Sequence, residues 1–255
     1  MHFKHFVGII CLGLISACTV PVVVDDTESV QNAHTSNNAP RSFLYSWAMF
    51  GDPVFDRDVV TFSESYSRAF GALEGQALFG NNFRQLAMPD ANVMRAEFSK
   101  LASEAVDGED LVVVMLTSHG SPGQIVAVAP DGTAFTITGE QLNKFLEPLE
   151  NDRQVLILQA CYSGSLINDL KHPNRIILTA AAEDRTSFGC NPNSDNTWFI
   201  RSLNRAIKEG GSWSKIFERT KAFVAVDEET AGVVPSNPQS WVGANMRGFW
   251  RNGVL

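Results

Sequence analysis

Two apolar runs, each ending in a residue suited to nucleophilic chemistry, constrain this chain more than anything else in it. The first is Leu111-Val112-Val113-Val114-Met115-Leu116-Thr117-Ser118, leading straight into His119-Gly120. The second is Gln154-Val155-Leu156-Ile157-Leu158-Gln159-Ala160, leading into Cys161-Tyr162-Ser163-Gly164. Runs of this length without polar alternation, rich in Val, Ile and Leu, read as strands of a parallel sheet covered on both faces. In open α/β sheets the ligand sits beyond the carboxyl ends of the strands. If the two strands are neighbours, that edge brings the His119 imidazole beside the Cys161 thiol, the pairing an activated cysteine nucleophile needs.

The rest of the chain fits elements around that pair. Residues 44–50 read as a first strand. Residues 54–70 and 90–106 read as amphipathic helices, the second ended by Asp107-Gly108. Residues 124–129 and 133–138 flank Asp131-Gly132, a hairpin turn. A helix over 139–149 leads to the cysteine strand, a short helix follows from Ser165, and residues 175–181 form another buried strand. Residues 196–208 and 213–226 read as helices separated by Gly210-Gly211. Strands alternating with helices imply a doubly wound α/β sheet.

A thiol titrating near its usual value of about 8.5 is mostly protonated at neutral pH. At Cys161 a strand-to-helix junction and a nearby imidazole both favour the anion. Each half has a bland reading on its own: His-Gly after a strand is commonly a turn, and a strand-end cysteine is commonly core. Together, at matching strand ends, they point to chemistry. A Cys161–Cys190 disulfide competes with this reading and would silence the nucleophile; the dyad context favours a free Cys161. No Cys and His cluster has metal-ligand spacing, and no third partner for His119 is evident.

Ser118-His119-Gly120 after one apolar strand, and Gln159-Ala160-Cys161 after the next, resemble the caspase-like clan of cysteine peptidases, and within it the legumain-type family. The stretch from Leu178 to Cys190 is similar to that family's strand and S1-wall segment, and Thr197-Trp198-Phe199 to a short aromatic motif. The likeness spans roughly residues 42–223. It implies a caspase-like α/β fold: a doubly wound, mostly parallel sheet with helices on both faces. It also implies a cysteine endopeptidase acting on peptide or protein substrates without a cofactor. In that reading Cys161 attacks the carbonyl, His119 protonates the leaving amine, and the backbone N–H groups of Gly120 and Cys161 hold the oxyanion. The same resemblance points to Gln159, Ser187, Arg201 and Arg57 as substrate-binding residues. The family's two pocket acids are replaced here by Gln159 and Arg201. The five donors of Arg201 would fork onto a carboxylate, so P1 Asp should be accepted at least as well as P1 Asn, unless Arg201 lies on the outer face of its helix. A transamidase using the same acyl-enzyme, or an idle envelope binding module, are the alternative functions.

The N-terminus reads separately. Residues 1–17 pair Lys4 with a short apolar run and end at Ile15-Ser16-Ala17-Cys18, which resembles a bacterial lipobox. A signal peptide cut before a lipidated Cys18 is therefore expected, and the run is too short to span a bilayer. Residues 18–40, rich in Thr, Val, Asp, Ser and Asn, read as a flexible tether. Residues 41–255 suit one domain with a sizeable core. Thr19 after the cysteine resembles an outer-membrane sorting signal, and that resemblance implies a domain in the bacterial envelope, at the outer membrane and facing the periplasm. Losing Lys4 makes the formal charge of −8 one unit more negative, and an acidic surface argues against nucleic acid as a partner. The oligomeric state is left open.

Overall fold

In the computed structural model, residues 41–70, 77–78, 91–105, 108–128 and 132–253 are described, all within the unit Ala39–Leu255. The expected signal peptide, Cys18 and the tether lie outside them. A six-stranded sheet runs in the order β2 (Ala77–Leu78), β1 (Ser42–Ala48), β3 (Leu111–Thr117), β7 (Arg153–Gln159), β8 (Arg175–Thr179), β9 (Gln239–Val242). The first five strands are parallel and β9 pairs antiparallel with β8. A three-stranded antiparallel sheet, β4 (Gly120–Ser121), β5 (Gln124–Val128) and β6 (Ala134–Thr138), branches off directly after His119.

Alternation along each strand divides the core into two layers. Leu44, Leu111, Val113, Met115, Val155, Ile157, Ile176 and Leu178 point to one face. There they meet Val59 and Phe62 of α1 (Pro53–Phe70), Leu203 and Ile207 of α5 (Trp198–Lys208), and Phe217 of α6 (Trp213–Ala231). Tyr45, Trp47, Val112, Val114, Leu116, Leu156, Leu158 and Ile177 point to the other. Their partners are Phe98 of α2 (Ala91–Glu104), Leu142 of α3 (Gly139–Phe145), and Ile125, Ala127 and Ile137 of the small sheet. Burial on both faces is why β3 and β7 carry no polar alternation, and truncating Ile157 to Ala would cost about 2–5 kcal/mol.

Several boundaries differ from the sequence reading for physical reasons. The helix expected over 139–149 starts with a capping box between Thr138 and Gln141 but ends at Phe145. A 3₁₀ turn, Glu147–Leu149, follows, because Pro148 has no N–H and its ring clashes with the preceding turn. Helix α6 runs on to Ala231 and ends at Gly232, which takes φ 67. The short helix expected from Ser165 is a 3₁₀ turn, Ser163–Leu166, followed by the four-residue α4 (Ile167–Leu170). Strands β2, β4 and β9 and the last helix, α7 (Arg247–Asn252), are too short for any period to announce. No helix among the described residues is long and apolar enough to cross a membrane.

Candidate active site

The parallel register of β3 and β7 sets Thr117 opposite Gln159. The ladder continues one step further, Ser118 N–H donating to the Gln159 carbonyl at 2.9 Å. His119 and Cys161 therefore leave the sheet together at its carboxyl edge. The backbones that follow are in contact: a Cβ on Gly120 would collide with the Cys161 carbonyl and the Ala160 side chain. Val126 N–H donates to the His119 carbonyl at 3.0 Å, while Gly120 faces Ile125. In an antiparallel ladder that makes Gly120 and Ile125 a pair whose amides turn away from each other, leaving the Gly120 N–H directed away from β5.

The imidazole is held on three sides. Its Nε2 lies 2.9 Å from Asp52 Oδ2, and the rings of Phe50 and Phe55 meet it edge-on with centroids at 4.7 and 5.1 Å. A carboxylate accepts, so Nε2 carries the proton and Nδ1 is left as the free nitrogen. The His119 and Asp52 side chains are 37% and 31% exposed, open enough for a substrate to reach. Asp52 is the residue that sequence reasoning missed. Its signal was faint: Gly51-Asp52-Pro53 is a turn at the end of β1, the strand beside β3, and only the strand order brings that turn to His119.

Cys161 Sγ accepts the Ser187 N–H at 3.3 Å and lies 3.6 Å from the Ser187 carbonyl and 3.7 Å from its hydroxyl. Tyr162 takes a left-handed conformation, φ 58 and ψ 15, which lets the chain turn sharply after the thiol. The turn is tied down by Tyr162 N–H to the Arg185 carbonyl at 2.7 Å and by the Ser165 hydroxyl, which donates to the Tyr162 carbonyl at 2.6 Å and accepts from Gly123 N–H at 2.8 Å. The helix expected to aim its positive end at Cys161 is thus a single 3₁₀ turn with a four-residue extension.

Of the four expected substrate-binding residues, two lie beside Cys161. Gln159 is fully buried, its Nε2 donates to Ser187 Oγ at 3.3 Å, and its Oε1 has no hydrogen-bond partner among the described residues. The two arginines are elsewhere. Arg201 is exposed on α5 and pairs with Asp227 of α6 at 2.8 Å, since its position on the helix turns it toward α6. Arg57 is engaged by carbonyls, of Ser194 at 2.9 Å from Nε and of Pro192 at 2.5 Å from a terminal nitrogen. Each guanidinium is thus engaged by partners other than those around Cys161.

Two further groups border this set. Cys161 and Cys190 are both free thiols. Burial, with Cys161 and Asp58 nearby, pushes the Cys190 thiol up to about 12. Asp58 is fully buried and accepts four hydrogen bonds: from the Thr117 hydroxyl at 2.9 Å, Asn196 Nδ2 at 3.0 Å, and the N–H and hydroxyl of Thr197 at 2.9 and 2.8 Å. Burial raises its carboxyl to about 6, the four donors offsetting part of that. Among the described residues no group of three or more His, Cys, Asp or Glu side chains could hold a metal ion.

A family model, that of the Peptidase C13 family, matches residues 64–246. Among solved structures the chain resembles caspase-1 from Spodoptera frugiperda, with a TM-score of 0.54 and 12% identity over 80% of this chain and 86% of that one. Comparison with curated proteins gives no match.

Proposed function

The chain belongs to the Peptidase C13 family of cysteine-type peptidases, and we propose that it hydrolyses peptide bonds through Cys161, His119 and Asp52. The observation that carries this reading is the convergence of the three at one sheet edge, with Asp52 on His119 Nε2. The Cys161 proton passes to Nδ1 of His119 as Sγ attacks the scissile carbonyl, and the oxyanion is received by the backbone N–H groups of Gly120 and Cys161. His119 then gives its proton to the departing amine, leaving a thioester on Cys161 that water hydrolyses. Asp52 keeps the ring in the tautomer and orientation this transfer needs.

In the wall beside Cys161, Gln159 Oε1 is an acceptor without a hydrogen-bond partner among the described residues. An amide N–H of a P1 Asn would satisfy it, whereas a P1 Asp carboxylate would face it oxygen to oxygen. The proposed preference is therefore Asn over Asp. Cys18 is proposed to carry lipid and to hold the domain on the periplasmic side of an envelope membrane, on the strength of the lipobox-like Ile15-Ser16-Ala17-Cys18.

The test is steady-state cleavage of matched P1 Asn and P1 Asp peptides by wild type, Cys161→Ala, His119→Ala and Asp52→Ala. Turnover should vanish in the first variant and fall about 10²-fold or more in the second. Asp52→Ala should lose about tenfold or more, mostly in kcat. Cleavage surviving in Cys161→Ala contradicts the reading, and a wild-type preference for P1 Asp contradicts the pocket assignment.

A further inference from the structure

One side of helix α1 grips the segment of chain that follows Ser187. Arg57 and Asp58 are adjacent, and Thr61 lies one turn beyond them on the same side of the helix. Arg57 donates to the carbonyls of Pro192 and Ser194. Asp58 receives Asn196 and Thr197, and the Thr61 hydroxyl accepts from Asn196 Nδ2 at 2.8 Å and Asn204 Nδ2 at 3.0 Å. The segment they grip, residues 187–197, has neither helix nor strand, so its carbonyls find no ladder and need outside donors. Its other end is Ser187, which touches both Cys161 Sγ and Gln159 Nε2.

The start of the same helix fixes His119. Phe55 packs edge-on to the imidazole, and Asp52, which binds Nε2, accepts the Phe55 N–H at 3.0 Å through its own carbonyl. One rigid element thus references both the proton-transfer residue and the wall next to the nucleophile. We infer that Arg57 is a positioning residue for substrate binding, holding the 187–197 wall against Cys161 through the carbonyls of Pro192 and Ser194. It touches no reacting atom, and this role rests on the peptidase reading above. Arg57 is also the member of the trio that can be varied safely. It is only partly buried, and the carbonyls it releases can turn to water, whereas removing Asp58 would strand four donors in the core.

The experiment uses the full chain, with Arg57→Ala and Arg57→Lys beside wild type, and two readouts. Cleavage kinetics should show KM raised about tenfold in Arg57→Ala with kcat nearly unchanged, and part of the loss recovered in Arg57→Lys, which keeps a donor. Amide hydrogen exchange should accelerate in 187–197 and stay unchanged in 111–119. Unchanged exchange in 187–197 overturns the inference, as does a fall in kcat with KM unchanged. If wild type cleaves no peptide, it is the peptidase reading that fails. The exchange result then still decides whether Arg57 holds the segment.

Discussion

Cys161 and Cys190 have a common neighbour, the Ser187 side chain, but only Cys161 stands at a strand end opposite His119. Burial pushes the Cys190 thiol up to about 12, so it remains protonated across the working range. Iodoacetamide at pH 7.5 should therefore label Cys161 first, and Cys190→Ala should keep most of the activity. Peptide mapping that finds Cys190 alkylated ahead of Cys161 would reverse the two roles. That His119 and Cys161 stand at neighbouring strand ends was legible in the sequence, because two buried runs announced where each strand ends. Asp52 was not legible, because nothing local links a turn acid to an imidazole 67 residues on. The partners of Arg57 and Arg201 were not legible for a related reason: resemblance gives a position in the chain but not the direction a side chain takes. Arg201 turned to Asp227 and Arg57 to two carbonyls.

Helix α1 joins the layers at the level of elements, and Asp58 is its buried contact with β3 and α5. The folded state raises this carboxyl from 3.8 to about 6, so the folded chain holds the proton more tightly than the unfolded one. Asp58 then contributes its full stabilisation below about pH 4 and loses it as pH rises through about 6, a change of about 3 kcal/mol. Asp58→Asn removes this dependence. Denaturant unfolding of both proteins at pH 4 and pH 7 should show the variant gaining on wild type by about 2–3 kcal/mol over that interval. A constant difference would mean that the four donors fully compensate burial. The long elements were readable from periodicity and caps. Edge strand β9, four residues with no alternation, and the break of α3 before Pro148 depend on neighbours and on one ring, which a periodic pattern does not register.

At the scale of the molecule, a mostly parallel sheet buried on both faces collects its loops at one edge, and the candidate site occupies that edge. The two-layer core was implied by unbroken apolar runs, and the small sheet by Asp131-Gly132 between two alternating stretches. The N-terminal expectations concern residues outside those described, and their test is cellular. Cys18→Ser should move the protein from the membrane to the soluble fraction or leave an uncut precursor, because stable attachment needs the acylated cysteine. A processed Cys18→Ser chain still sedimenting with membranes would contradict the anchor. An acyl group on Cys161 during turnover can be measured directly. Wild-type protein mixed with a P1 Asn peptide ester is quenched in acid within the first turnover, digested and weighed. The acyl mass should appear on the fragment containing Cys161, be absent from Cys161→Ala and accumulate slowly in His119→Ala. An acyl group on any other residue, or product released by Cys161→Ala, would contradict Cys161 as the nucleophile.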